Sequence, residues 1–167
     1  NGSLNFFSTG TNKLSNTNNL RTTVVNDFNY TSNDFISKLG FKNNFDLYFK
    51  NLNAVGKNDS IYTSDTQIDG MSILKIDSSF PLLKSKNMIK ETLTPKISFR
   101  INPGNNMDNY SGSSAIINTN NVFDINRLGI SNDFEAGRSL TFGLDYKFDQ
   151  LEKNQSEDTK DKYLELK

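Results

Sequence analysis

The chain has 167 residues, of which 34% are apolar and 11% aromatic, and its mean hydropathy is -0.61. This composition is polar for a soluble globular core, but it suits a barrel wall with lipid on one face and water on the other. Lysine plus arginine equals aspartate plus glutamate at 19 each, so nothing indicates a basic surface for nucleic acid. The sequence contains neither Cys nor His, which excludes thiol nucleophiles, imidazole bases and the usual zinc and haem ligands.

Both ends of the chain predict that it belongs to a longer protein. It begins at Asn1 without a methionine or a signal peptide, and the last residues, 163–167, have the pattern of a strand that is just beginning. We therefore expect it to be incomplete at both ends. No apolar stretch reaches the ~18 residues that a membrane-spanning helix needs.

Six or seven β-strands and no helix are predicted from alternation of apolar and polar residues. In chain order the segments are 4–6, 20–30, 39–49, 74–82, 93–101 and 140–148, with a possible last strand from residue 163. The clearest are 93–101 and 140–148, which alternate over nine residues each. A period of two over that length is typical of a strand with one apolar face, and it is about the length that a tilted strand needs to cross a membrane.

The predicted connections are polar and uneven. Residues 31–34 form a tight one, whereas 54–66, 102–121 and 150–161 are long. Short turns that alternate with long loops favour an outer-membrane barrel over a compact soluble sandwich. Six or seven strands cannot close a barrel of useful size, so the predicted fold is all-β: an antiparallel up-and-down meander that forms part of a larger transmembrane β-barrel and has two unpaired edges.

Four charged residues alternate with apolar neighbours on the two clearest strands: Lys96, Arg100, Asp145 and Lys147. A Lys or Arg on the lipid face costs about 2–4 kcal/mol at the midplane, so we predict that these side chains face the lumen. They would contact a polar cargo or plug, or simply line a solvated inner wall.

Candidate catalytic groups are few. Asp145 with Glu135, or Asp124 with Asp133, could form a carboxylate pair, but carboxylates that pair with Lys or Arg are the favoured interpretation. The Asp- and Asn-rich loops match no calcium motif. We predict no enzyme activity, no metal site and no cofactor.

Three blocks carry a resemblance to a known family: Leu-Thr-Pro-Lys-Ile-Ser-Phe at 93–99, Asn-Val-Phe-Asp-Ile-Asn-Arg-Leu-Gly at 121–129, and Asp-Phe-Glu-Ala-Gly-Arg-Ser-Leu-Thr-Phe-Gly-Leu at 133–144. A Leu-x-Pro strand, a loop that ends in Phe-x-x-Asn-Arg, an Asp and a Gly-x-x-Leu-Thr-x-Gly strand follow one another. This series resembles the C-terminal barrel domain of the LptD family, the outer-membrane lipopolysaccharide-assembly proteins. Residues 79–82 resemble the strand that precedes it, and the Asn-rich style resembles an alphaproteobacterial version.

The resemblance implies that residues 1–167 are a partial C-terminal β-barrel domain with a long loop near 102–121. The chain would be a section of the translocon that inserts lipopolysaccharide into the outer leaflet of the Gram-negative outer membrane. The implied partners are lipopolysaccharide, an LptE-like lipoprotein plug, outer-membrane lipid, and a periplasmic lipopolysaccharide bridge that acts through an N-terminal domain missing here.

Asn126 and Arg127 match the loop motif of the family. We expect them to anchor the long loop, with Arg127 paired to Asp133 or Asp124, because the guanidinium geometry suits a carboxylate.

Three other classes remain open. A porin-like passive diffusion barrel has the same lipid-out, water-in strands. A soluble β-sandwich binding module would have strands nearer five or six residues long. An outer-membrane hydrolase would need a His, which this sequence lacks.

Overall fold

The computed structural model describes residues 1–86, 88–104, 116–128, 134–153 and 158–166. Within these ranges the chain forms nine β-strands and no helix: β1 (Gly2–Ser15), β2 (Asn19–Ser32), β3 (Phe35–Ile36), β4 (Lys42–Lys57), β5 (Gln67–Ser79), β6 (Leu82–Lys86), β7 (Ile89–Asn102), β8 (Gly137–Lys153) and β9 (Asp158–Leu166). No helix in the described part of the chain is long and apolar enough to cross a membrane.

The strands form one sheet in the order β1-β2-β4-β5-β7-β8-β9, with the short β3 added to β4 and the short β6 added to β7. The seven strands of the main path follow chain order, and the registers that are defined are antiparallel. The predicted fold class, an all-β antiparallel meander consistent with part of a larger β-barrel, is therefore confirmed.

The strand β6 continues the pairing of β5 beyond a break at Pro81. The backbone nitrogen of Phe80 donates to the carbonyl oxygen of Pro95 at 3.0 Å, and the ladder resumes at the pair Leu82 and Leu93. Pro81 has no N–H to donate, so it interrupts the strand without ending the pairing.

Several strand bounds differ from the sequence expectations. β1 has 14 residues rather than the short predicted segment, because it pairs with β2 along its whole length although its own apolar residues do not alternate. The turn that joins them places Asn16 and Thr17 at φ angles of 49° and 56°, the left-handed region that Asn tolerates better than most residues. β4 runs to Lys57, and only residues 154–157 separate β8 from β9, so both of those connections are shorter than predicted.

The predicted tight turn at 31–34 is wrong. β2 continues to Ser32, and the chain then forms β3 before it reaches β4. Here Gly40 adopts a φ of 88°, and its nitrogen donates to the carbonyl oxygen of Ser37 at 2.9 Å. A glycine accepts that backbone conformation without steric cost, which allows the extra turn.

The chain forms two compact units: unit 1 comprises residues 1–33, 45–75 and 100–139, and unit 2 comprises residues 34–44, 76–99 and 140–167. In unit 1 the polarity of a soluble sheet is inverted. Lys50 is 3% exposed, whereas Phe49 beside it is 48% exposed. A small apolar cluster of Met71, Ile73 and Phe134 is buried on the same face as Lys50, because the polypeptide covers that face.

Unit 2 shows the same inversion. Leu140, Phe142 and Leu144 alternate along β8 and are exposed, Phe142 by 72%. The intervening Thr141 and Gly143 are less exposed, and Ser98 of β7 is buried. In both units exposed apolar side chains therefore lie opposite covered polar ones, and in unit 1 the covered face also carries the small apolar cluster.

Candidate functional site: a loop docked on the polar face

Two polar residues near the end of β7 form the base of the candidate site in unit 1. Arg100 is 3% exposed and Asn102 is 0% exposed, while their neighbour Phe99 is 38% exposed. The period of two along the strand places both polar side chains on the covered face. Burial of a guanidinium is costly unless its donors are satisfied, so its partners define what this site holds.

Arg100 holds two points of the connection between β7 and β8. Its Nε donates to the carbonyl oxygen of Ile125 at 2.8 Å, and its Nη1 donates to that of Glu135 at 2.9 Å. The amide of Asn102 donates to the same Glu135 carbonyl oxygen at 3.2 Å. The oxygen of the Asn102 side chain accepts from the nitrogen of Gly104 at 3.2 Å, which shapes the start of the connection.

An aromatic contact holds the same loop against β4. The ring of Phe134 stacks on the ring of Tyr48, with centroids 4.8 Å apart and planes 29° apart. Phe134 packs with buried Met71 and Ile73 of β5, and Ile125 borders the cluster. Two points of the loop, near residues 125 and 134, are thus anchored by polar and apolar contacts together.

Two of the three predicted loop-anchoring residues, Asn126 and Arg127, lie in this assembly, but the partner of Arg127 was not anticipated. The Nη2 of buried Arg127 lies 2.6 Å from Oε2 of Glu135. Among the described residues, Arg127 pairs with Glu135 rather than with Asp124, and Asp133 lies outside the described ranges. Asn126 is half-buried between two residues of the site.

The polar face of unit 1 carries further charge pairs beside the docked loop. The Nζ of Lys50 lies 3.5 Å from Oδ1 of Asp27, which also accepts a 2.6 Å hydrogen bond from the hydroxyl of Tyr48. The Nζ of Lys75 lies 3.5 Å from Oδ2 of Asp46. Buried charges need partners of this kind, so the charges on this face are electrostatically compensated.

The other predicted lumen-facing residues lie in unit 2. The Nζ of Lys96 lies 2.9 Å from Oδ2 of Asp145, which links β7 to β8. The Nζ of Lys147 lies 3.6 Å from Oδ2 of Asp149, within β8. All three predicted residues occupy the face opposite the exposed apolar positions of their strands.

A bidentate ion pair fixes the connection between β4 and β5 in unit 1. The Nε and Nη2 of Arg21 donate to the two carboxylate oxygens of Asp59 at 2.8 and 3.1 Å. The hydrogen bond from Arg21, with those from the backbone nitrogens of Tyr62 and Ile61, lowers the pKa of Asp59 to about 2. The Arg21 guanidinium also lies 5.8 Å from the centroid of the Tyr62 ring.

Two of the four candidate catalytic carboxylates, Glu135 and Asp145, each lie against a cation. Glu135 lies against Arg127 in unit 1, and Asp145 lies against Lys96 in unit 2. Ion pairs of this kind are typical of structural contacts. The described ranges contain no group of three or more side chains suited to hold a metal ion.

Sequence reasoning missed the main contacts of the site: Tyr48, Asn102, Phe134 and the backbone of Glu135. Asn102 follows Arg100 by two residues on the same strand, so the alternation of side chains could have placed Asn102 on the same covered face. Nothing in the sequence pairs Tyr48 with Phe134, since 86 residues separate them. No family model matches the chain, and neither the curated proteins nor the solved structures show a significant similarity to it.

Proposed function

We propose that this chain is a wall section of an outer-membrane translocon that inserts lipopolysaccharide into the outer leaflet. One observation carries the membrane part of the proposal: apolar side chains are exposed on the face opposite buried cations. Phe99 and Phe142 are exposed, whereas Arg100 and Lys50 are covered. In water this arrangement would be unfavourable at about 25 cal/mol for each Å² of exposed apolar surface, and lipid removes that cost.

The interior of such a wall must be wet or filled by protein. The compensated charges Lys50 with Asp27 and Lys75 with Asp46 suit a polar lumen. The loop held by Arg100 would line that lumen and narrow it. This is compatible with a barrel that handles a large amphipathic cargo beside a lipoprotein plug, and no catalytic role is proposed.

The lipopolysaccharide part of the proposal rests on the resemblance to the LptD family in residues 93–144. The docked loop adds support, since the Asn126 and Arg127 motif of that family lies in the segment that Arg100 holds. The second candidate is a porin-like passive diffusion barrel. The same polar lumen and inward loop favour it, so experiment must separate the two.

A photo-crosslinking residue in place of Lys96, in the full-length protein in its own outer membrane, makes that separation. The adjacent position Ile97 lies on the exposed apolar face and is the matched control. Any barrel is surrounded by lipopolysaccharide in the outer leaflet, so adducts at Ile97 give only the background. We expect adducts of lipopolysaccharide or of a lipoprotein plug at Lys96 above that background.

If position 96 gave neither adduct while small solutes passed through the barrel, the translocon proposal would be wrong and a porin-like barrel would replace it. If the residue at position 96 cross-linked to lipid and the residue at position 97 cross-linked only to water-soluble proteins, the assignment of the two faces would be reversed.

A further inference from the structure

A charged cluster interrupts the apolar outward face of unit 2 at the β6–β7 hairpin. Lys84 pairs with Glu91 and Lys86 pairs with Ile89 in the antiparallel register. Residues directly opposite each other in such a pair lie on the same face of the sheet. Glu91 is two residues before Leu93, where the apolar outward positions of β7 begin, so the two lysines lie just beyond the end of the apolar band.

The carboxylate of Glu91 is already compensated within the cluster. Its Oε2 lies 3.1 Å from the Nζ of Lys84, and its Oε1 accepts a 3.1 Å hydrogen bond from the hydroxyl of Tyr146. Lys86 makes no ion pair with any residue that the structure describes. Two lysines against one glutamate leave this cluster with a surplus of one positive charge.

Two shallow cavities beside the cluster combine cations with apolar walls. The first, of about 350 Å³, is lined by Lys84, Lys86, Ile89, Glu91 and Phe148. The second, of about 230 Å³, is lined by Leu82, Leu83, Lys84, Glu91, Leu93 and Tyr146. Lys84 is shared by both, and its side chain is 76% exposed, so its ammonium group remains accessible.

We propose that this cluster binds the phosphate head group of an anionic phospholipid, and this inference rests on the membrane location in the proposed function. The ammonium groups of Lys84 and Lys86 attract the phosphate, and Leu82 and Leu93, which lie on the membrane side of Lys84, contact the first part of an acyl chain. Long lysine side chains extend in this way from an apolar surface toward head groups. Tyr146 has the amphipathic ring that is enriched at this depth of a membrane.

The lengths of the connections at the two ends of β7 favour phospholipid over lipopolysaccharide as the bound lipid. The strand begins at the short β6–β7 hairpin and ends at Asn102, where the long connection to β8 begins. In outer-membrane barrels long loops are external and short turns are periplasmic. The hairpin end of β7 therefore meets the inner leaflet, which consists of phospholipid.

Spin-labelled lipids test the inference in vesicles of phosphatidylcholine that contain the full-length protein. Electron paramagnetic resonance would measure the fraction of motionally restricted label for phosphatidylglycerol and for phosphatidylcholine. We expect the wild type to restrict a larger fraction of the phosphatidylglycerol label than of the phosphatidylcholine label. In the K84A/K86A variant the ratio of these fractions should fall by roughly threefold to fivefold for each lysine removed. Lys90 pairs with Ser85 on the opposite face of the hairpin, so K90A is the matched control and keeps the preference.

The outcomes separate this inference from the proposed function. If K84A/K86A kept the wild-type preference, or K90A lost as much, the head-group site would be wrong although the protein still restricts lipid. If lipid A displaced the phosphatidylglycerol label through Lys84 and Lys86, the site would serve lipopolysaccharide and the phospholipid assignment would fail. If the protein restricted no lipid label of either kind, the membrane location itself would be wrong.

Discussion

The guanidinium of Arg100 donates a hydrogen bond to the backbone carbonyl oxygen of Glu135 at 2.9 Å, across 35 residues of sequence. This contact converts a buried cation of β7 into an anchor for the connection between β7 and β8. Since Arg127 binds the carboxylate of the same glutamate, one residue of the loop is held through both its backbone and its side chain. The position of the loop therefore depends on two arginines.

Replacement of Arg100 by alanine should release the loop near residues 125 and 135. Hydrogen bonds from a charged donor contribute about 1.5–3 kcal/mol, so we expect the free energy of unfolding in vesicles to fall by about 2–3 kcal/mol. Amide hydrogen exchange in the loop should rise in parallel. The control K96A removes a partly exposed ion pair and should cost no more than about 1 kcal/mol. Equal losses for the two variants would contradict the anchoring role.

The stacked rings of Tyr48 and Phe134 should show a measurable coupling energy. We expect a double-mutant cycle of Y48L and F134L to give about 0.5–1.5 kcal/mol of coupling, because aromatic pairs stabilise beyond their buried area. The Y48F variant keeps the ring but loses the hydroxyl bond to Asp27, so its cycle with F134L should give coupling near zero. Additive losses in the first cycle would mean that the loop does not dock on β4.

The ion pair between Lys96 and Asp145 should depend on opposite charge rather than on the identity of either residue. K96D and D145K each place like charges about where the 2.9 Å pair now lies, and both should destabilise the protein. The double variant should recover about 1–2 kcal/mol relative to the sum of the single variants. Denaturant unfolding in vesicles would measure this, and K96D combined with D149K is the mismatched control. Recovery by that control would show that only net charge matters.

The bond between Arg21 and Asp59 should make stability depend on acid pH. The pKa of Asp59 is lowered to about 2, below its ordinary value near 4. A lowered folded-state pKa gives stability that is present above pH 4 and is lost as the pH falls through 2. The stability difference between the wild type and D59N should therefore be constant above pH 4 and shrink between pH 4 and pH 2. A difference that stayed constant across this range would contradict the lowered pKa.

The sequence predicted the strands whose side chains alternate without exception. Residues 93–101 and 140–148 fall within β7 and β8. They could be predicted because the alternation of apolar and polar side chains can be recognised within a single strand. For β1 the sequence predicted only a short strand that opens at residues 4–6, since its pairing with β2 comes from backbone hydrogen bonds that leave no pattern in the side chains.

The candidate site was predictable only in part. Lys96 and Arg100 alternate with apolar residues, which indicated a polar face. The motif that resembles the LptD family led to the prediction that Arg127 anchors the loop. The docking contacts could not be predicted, because they join residues far apart in sequence, such as Tyr48 with Phe134. Several carboxylates lie near Arg127 in the sequence, and the sequence does not distinguish among them. Only the conformation of the loop determines that Arg127 pairs with Glu135.

A nitroxide scan along β8 tests the central claim, that the exposed apolar face meets lipid, most directly. The 167 residues contain no cysteine, so single cysteines at positions 140–144 would be the only thiols in this part of the protein. Any cysteine elsewhere in the full-length protein would first be replaced by serine. In its native membrane, oxygen should reach the labels at 140, 142 and 144 more readily than a water-soluble nickel complex does. Positions 141 and 143 should show the opposite preference or be shielded from both reagents. A scan without this period of two, or with the nickel complex reaching position 142 freely, would contradict the account.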